Sequence, residues 1–363
     1  MFEILKINSQ RPEKCFIQKA VKIIKKGGLV AFPTETVYGL GANALDKNAV
    51  RKIFKVKGRP LDNPIIVHIA KIEDLNLLAR NIPKDVKILV QKFWPGPLTF
   101  VLFKKNAVPD EVTAGLKVVA IRMPKNKIAL EMIKKAGFPI AAPSANLAGR
   151  PSPTFARHVF EDFGSKIDLI LDGGRTKIGV ESTVVDLTVK PFQILRPGGI
   201  SFEELKKVLP DLRLHPSLLD GTFKGKSKSP GMKYRHYAPK ASLILVNPIR
   251  DSKKWDKVQK GRISNGVEGK EQVLRIQNLI KKYQKQNKKV GVLSSFETKR
   301  FYQQADLVLI SGSRKNLEQI AQNLFKILRE FDKQKVDIIL AEGVPEKGIG
   351  FAIMHRLKKA SQG

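Results

Sequence analysis

Between residues 210 and 240 the chain loses its hydrophobic period and runs through Pro, Gly, Ser and Lys for about thirty residues, longer than most connections inside one compact domain. On either side, short apolar runs alternate with amphipathic patterns. That interruption excludes a single continuous core and predicts three parts: a first domain over 1–209, a connecting segment over 210–240 and a second domain over 241–363. In the first part, Cys15, Ile17, Ala20, Val21, Ile23 and Ile24 recur at helical spacing within 12–26 until Gly27-Gly28 ends the pattern, and 48–57 reads as a second helix. Strands are predicted at 29–32, 65–69, 99–103, 118–122, 140–142, 169–171, 183–187 and 192–195. In the last part, strands at 242–246, 290–294, 307–310 and 337–341 alternate with helices near 273–284 and 316–331, the pattern of a small parallel sheet. The fold class is α/β in both.

Composition narrows the setting. With 42% hydrophobic and 28% charged residues the chain has enough apolar surface to fold, which rules out disorder as its main state. Its apolar runs stop at four residues, far below the ~18 a membrane-spanning helix needs. The first fifteen residues hold no apolar signal segment and Cys15 has no second cysteine to pair with, so a reducing, cytoplasmic location is expected. The formal net charge is +34, with +21 in residues 1–240 and +13 in residues 241–363. A basic excess so evenly spread suits polyanionic partners such as nucleotides or RNA, and equally suits plain solubility.

Two familiar motifs fail on inspection. Gly221 to Ser227 resembles a phosphate-binding loop, but three residues rather than four separate its glycines and no strand precedes it. Gly39-Leu40-Gly41-Ala42-Asn43-Ala44 loosely matches a dinucleotide fingerprint without a clean strand leading into it. The five histidines and one cysteine show no zinc spacing, so no protein-held zinc is expected. Three polar groups beside strand ends remain. Lys57-Gly58-Arg59-Pro60-Leu61-Asp62-Asn63-Pro64 places two cations around a glycine, which suits phosphate oxygens approaching the backbone or, alternatively, a solvated basic turn. In Ala141-Ala142-Pro143-Ser144-Ala145-Asn146 the hydroxyl and amide of an extended segment face one way, either toward a ligand or as a turn or helix cap. Pro33-Thr34-Glu35-Thr36-Val37-Tyr38-Gly39-Leu40 offers small hydroxyls to a small substrate, with Glu35 a base or a turn cap.

Taken in order with Glu181-Ser182-Thr183, Arg196-Pro197-Gly198 and the run from Ser229 to Pro239, these segments resemble the YrdC-like threonylcarbamoyl-AMP synthases in their long two-domain form, over nearly the whole chain. The resemblance implies an N-terminal twisted-sheet α/β domain with a concave site and a smaller Rossmann-like C-terminal domain. It implies a reaction that consumes L-threonine, bicarbonate and ATP, with Mg²⁺ arriving on the ATP, and a product that other proteins pass to tRNA. Lys57 and Arg59 would be the catalytic cations, with Asn63, Ser144, Asn146, Ser152, Arg196 and Tyr237 also on the ATP side. Thr34, His68, Arg122, Ala142 and Ser182 would surround threonine, Arg122 pairing with its carboxylate. Apart from the resemblance, Lys233-Tyr234-Arg235-His236-Tyr237 packs two cations, a histidine and two aromatics into the 210–240 connecting segment and reads as an active-site lid or, alternatively, as a solvated linker whose aromatics dock on either domain. The rival from another class is a noncatalytic RNA-binding protein that uses the same basic surface.

Overall fold

Local signals set the element boundaries around the site. Asp46 caps the helix Lys47–Lys57 by accepting from the amides of Asn48 (2.9 Å) and Ala49 (3.2 Å), and Gly58 ends it in the left-handed region at φ +60°. The Arg59 amide then reaches back to the Phe54 carbonyl at 3.0 Å, which fixes Lys57 and Arg59 on either side of the turn. No other atom lies within 4 Å of where a Cβ on Gly58 would be. The glycine is thus required by its backbone angle and not by any neighbouring protein group.

The structure is a computed structural model and describes residues 2–219, 225, 227–231, 236–247 and 269–362. Gly221 to Lys224, Lys226 and most of the expected lid, Lys233 to Arg235, lie outside the described residues. Contacts divide the chain into two units, Met1–His236 and Tyr237–Gly363.

In the first unit the strands are β1 (Glu3–Lys6), β2 (Val30–Pro33), β3 (Tyr38–Asn43), β4 (Ile66–His68), β5 (Ala79–Arg80), β6 (Leu98–Lys104), β7 (Val118–Arg122), β8 (Ile140–Ala141), β9 (Leu169–Asp172), β10 (Thr183–Asp186), β11 (Gln193–Arg196) and β12 (Arg213–Leu214). They form one mixed sheet in the order β1-β9-β2-β3-β8-β4-β7-β6-β10-β11-β12, with β5 paired to β6. One core cluster joins Leu40, Ile53, Val67, Phe100 and Ile121, and another joins the helix Lys14–Lys25 to the helix Lys127–Ala136 over Phe32, Ile140 and Leu169. The first unit continues past residue 209, where periodicity fades, because β12 pairs with β11 and Lys228 forms an ion pair with the buried Asp186 at 2.8 Å.

Strand β3 is missing from the sequence-based expectation, since two glycines in six residues argue against a strand. Packing reverses the preference: a Cβ on Gly41 would sit 2.7 Å from the Phe32 ring and 2.9 Å from Ile140. Glycine lets β3 lie under both. Its place inside an antiparallel pair with β2 also removes the strand-to-helix turn that a dinucleotide fingerprint needs.

The second unit holds β13 (Ser242–Val246), β14 (Val290–Ser295), β15 (Leu307–Gly312) and β16 (Ile338–Glu342), all parallel, in the order β13-β16-β14-β15. The helix Leu317–Lys333 turns Ile320, Leu324, Phe325, Leu328 and Phe331 inward, and the helix Lys270–Gln284 buries Val273, Ile276 and Ile280. The all-parallel strands alternating with helices fit the Rossmann-like expectation for this part, with β16 lying between β13 and β14.

Candidate active site

Register collects the first set of polar residues. His68 on β4 lies opposite Arg122 on β7, and Arg122 lies opposite Thr99 on β6, so the three share one face of the sheet. Each is at least 96% buried. Arg122 is held on three sides: Nε donates to the Gly96 carbonyl (3.1 Å), Nη1 donates to Thr36 Oγ1 (2.9 Å) and Nη2 stands 2.7 Å from Glu35 Oε1. Thr34 stabilises that turn, its hydroxyl donating to the Val37 carbonyl (2.6 Å) and lying 2.8 Å from Thr36 Oγ1. On the far side, Thr99 Oγ1 meets Ser182 Oγ at 2.8 Å, and Arg196 donates to both the Ser182 carbonyl (2.9 Å) and its hydroxyl (3.1 Å). Thr34, His68, Arg122 and Ser182 are therefore brought together with Arg196, through Glu35 and Thr36, which lie in the segment the sequence marked for a small substrate, and through Thr99, which it did not mark. Ala142 is buried, and its amide donates to the Ile66 carbonyl at 3.0 Å, two residues before His68.

A second set gathers around the end of the Lys47–Lys57 helix. The buried Lys57 ammonium donates to the Ser144 carbonyl at 2.6 Å and to the Asn146 carbonyl. Asn146 donates in turn to the carbonyls of Leu147 (2.8 Å) and Arg150 (3.0 Å), while its buried Oδ1 accepts nothing. Arg59 folds over Asn63, donating to its side-chain oxygen (2.7 Å) and to the Pro64 carbonyl (2.8 Å). Ser144 bridges to Gly39 on β3, the Ala145 amide donates to the Tyr38 carbonyl (2.8 Å) and the Tyr38 amide to the Pro153 carbonyl (2.9 Å), which ties Ser152 to the same segment. Ser152 Oγ then donates to Glu181 Oε1 at 2.5 Å, next to Ser182. The two sets thus meet through 34–40 on one side and 181–182 on the other. Within the second unit, the Tyr237 ring stacks on Phe325 at 5.3 Å and lies 5.3 Å from the Arg356 guanidinium.

Burial, and after it the charge of Arg122, push the His68 imidazole down to about 3. The ring is neutral at physiological pH, and its buried Nδ1 carries no hydrogen bond. A neutral ring beside a guanidinium adds polarity without adding repulsion. Because the native pKa lies below the unfolded value of about 6.5, the unfolded chain takes up a proton that the native chain refuses, and stability falls as pH drops from about 6.5 toward 3. The contribution reaches about 1.4 kcal/mol per pH unit. Denaturant unfolding at pH 7, 6 and 5 should show a steeper acid loss in the native sequence than in His68→Gln; parallel slopes would mean that His68 titrates alike in both states.

Two protein-family models match the chain, "Telomere recombination" over residues 22–198 and "Threonylcarbamoyl-AMP synthase, C-terminal domain" over residues 200–362. The threonylcarbamoyl-AMP synthase of Pyrococcus abyssi is 52% identical over 97% of this chain and 96% of its own length. The chain belongs to the threonylcarbamoyl-AMP synthase family. The Bacillus subtilis synthase is 47% identical over 96% of this chain and 93% of its own length. Among solved structures, P. abyssi Sua5 complexed with L-threonine superposes with a TM-score of 0.88 at 51% identity, covering 99% of this chain and 98% of that one. The two-part α/β fold of this family is therefore the fold found here. Membership makes the chain an enzyme and leaves the noncatalytic RNA-binding reading resting on charge alone. Among the described residues, no helix is long and apolar enough to cross a membrane.

Proposed function

We propose that this enzyme condenses L-threonine, bicarbonate and ATP into L-threonylcarbamoyl-AMP, releasing pyrophosphate. The observation that carries the reading is the meeting of an amino-acid-sized set, Thr34, His68, Arg122, Ala142 and Ser182, with a cationic set, Lys57, Arg59 and Arg196, across a shared pair of segments. Arg122 is a fixed planar fork, which suits a carboxylate. Threonine's amine captures bicarbonate as a carbamate, a carbamate oxygen attacks the α-phosphorus, and pyrophosphate departs. Lys57, Arg59 and Arg196 offset the charge that grows on the leaving group, with Asn63, Ser144, Asn146 and Ser152 beside them. Tyr237, from the expected lid, is the remaining proposed nucleotide contact.

Mg²⁺ enters with ATP. The described residues bring no three His, Cys, Asp or Glu side chains together as ligands, so phosphate oxygens and water would supply its coordination. The product then serves threonylcarbamoyladenosine formation on tRNA through other proteins, and the single exposed Cys15 suits the cytoplasm.

The test is an omission series. Purified protein should release pyrophosphate from ATP and form an AMP-containing product only when threonine and bicarbonate are both present. Equal release without threonine would overturn the reading, as would salt-sensitive RNA binding accompanied by no nucleotide chemistry.

A further inference from the structure

The Glu35 side chain is 6% exposed, and neither of its carboxylate oxygens accepts a hydrogen bond. Among the described residues its ion-pair partner is Arg122, whose Nη2 lies 2.7 Å from Oε1 without aligning an N–H on it. The rest of the turn is well satisfied: the Ile178 amide donates to the Glu35 carbonyl at 2.8 Å and the Gly179 amide to the Thr36 carbonyl at 3.1 Å. A buried carboxylate left this bare costs stability unless something uses it. Arg122, by contrast, is braced by Gly96 and Thr36 independently of Glu35.

A turn cap does not explain these facts, since the caps in this turn come from Thr34. A zwitterion does. In an α-amino acid one carbon separates the carboxylate from the ammonium, so a substrate whose carboxylate pairs with Arg122 presents its ammonium beside the carboxylate that Arg122 already faces. His68 from β4, in register with Arg122, is neutral, and the loop at 176–179 contributes backbone amides and carries the exposed Lys177.

We propose that Glu35 is the proton acceptor for the threonine amine, converting it from ammonium to nucleophile. This rests on the activity proposed above. An N–H bond of the ammonium breaks and its proton passes to a Glu35 oxygen, leaving the electron pair on nitrogen. That pair forms the N–C bond to the bicarbonate carbon. The C–OH bond breaks, and the hydroxyl leaves as water with the proton Glu35 carried. A second N–H proton is then lost, so that threonine ammonium and bicarbonate give carbamate, water and one proton. Placing the acceptor against the carboxylate clamp ensures that only an amine attached next to a carboxylate is activated.

The experiment compares native protein, Glu35→Gln and Glu35→Asp, measuring threonine affinity calorimetrically and pyrophosphate release from pH 6.5 to 9.5. Glu35→Gln should keep threonine affinity within about tenfold and lose about a hundredfold or more in kcat near neutrality. Its kcat/KM for threonine should climb with pH up to the pKa of the free amine, because substrate that arrives deprotonated needs no acceptor. Glu35→Asp should keep the native profile at reduced kcat, and it decides the matter if the Gln variant fails to fold: an Asp profile that climbs to the amine pKa would refute the assignment. A Gln variant with native kcat, or one whose whole defect is lost threonine affinity, would overturn it too. Native protein inactive in the omission series would instead overturn the parent activity, so the two failures are distinguishable.

Discussion

Replacing Arg122 with alanine is expected to cut kcat/KM for threonine by at least ~150-fold, corresponding to about 3 kcal/mol or more, while ATP affinity changes little. Arg122 is 3% exposed and faces Glu35, so truncation removes the proposed partner of the substrate's carboxylate and leaves a buried carboxylate without its counter-charge. Two losses of the same sign therefore add. Arg122→Lys should recover little. A lysine ammonium cannot donate at once to Gly96 and Thr36 and still offer a flat fork to a carboxylate, although it restores the charge. Calorimetry with each ligand checks the placement: a variant that loses ATP affinity and keeps threonine affinity would put Arg122 on the wrong side of the pocket.

Gly198→Ala should be at least as damaging, for a different reason. A Cβ at this position would lie 2.3 Å from the Glu181 carbonyl oxygen, the Ser182 carbonyl carbon and the Thr183 amide nitrogen. All three are backbone atoms, so no rotamer change relieves the contact. They belong to the segment that carries Ser182 toward Thr99 and Arg196, and the Gly199 amide donates back to Glu181 at 3.2 Å. Either the two segments separate or the chain unfolds. The expected result is about 3 kcal/mol of lost stability, at the upper end for overpacking, together with loss of threonine binding in whatever protein remains folded. A melting temperature and threonine affinity equal to the native values would show that the segments part without cost.

These two cases also mark how far the sequence could be read. Arg196-Pro197-Gly198 and Glu181-Ser182-Thr183 stand out as motifs, but their interlocking is invisible in one dimension, because the reason for the glycine lies fifteen or more positions away. Arg122 is legible as a lone cation ending an apolar run. Its partners Thr36, 86 positions distant, and Glu35 are not, and neither is the contact of Thr99 with Ser182, 83 positions apart. Local rules account for the helix ending at Gly58, since capping is decided within a few residues. They fail at β3, where the Phe32 ring decides between strand and loop. What sequence periodicity captures is burial and spacing; what it omits is register, and register is what sets His68, Arg122 and Thr99 side by side.

The pairing of β9 with both β1 and β2 bears on how the chain is made. Leu169 stands beside Glu3 on one side and Val30 on the other, so β1 and β2 have no parallel partner until translation has run on to β9. At roughly 5–20 residues per second the wait is on the order of ten seconds. During that interval the antiparallel pair of β2 and β3 can form, and with it the turn bearing Thr34, Glu35 and Thr36, ahead of the rest of the sheet. Arg196 arrives later still. The candidate site is consequently among the last features of the first unit to be completed, and a nascent chain stalled before residue 169 carries the turn at 34–36 with an open strand edge beside it.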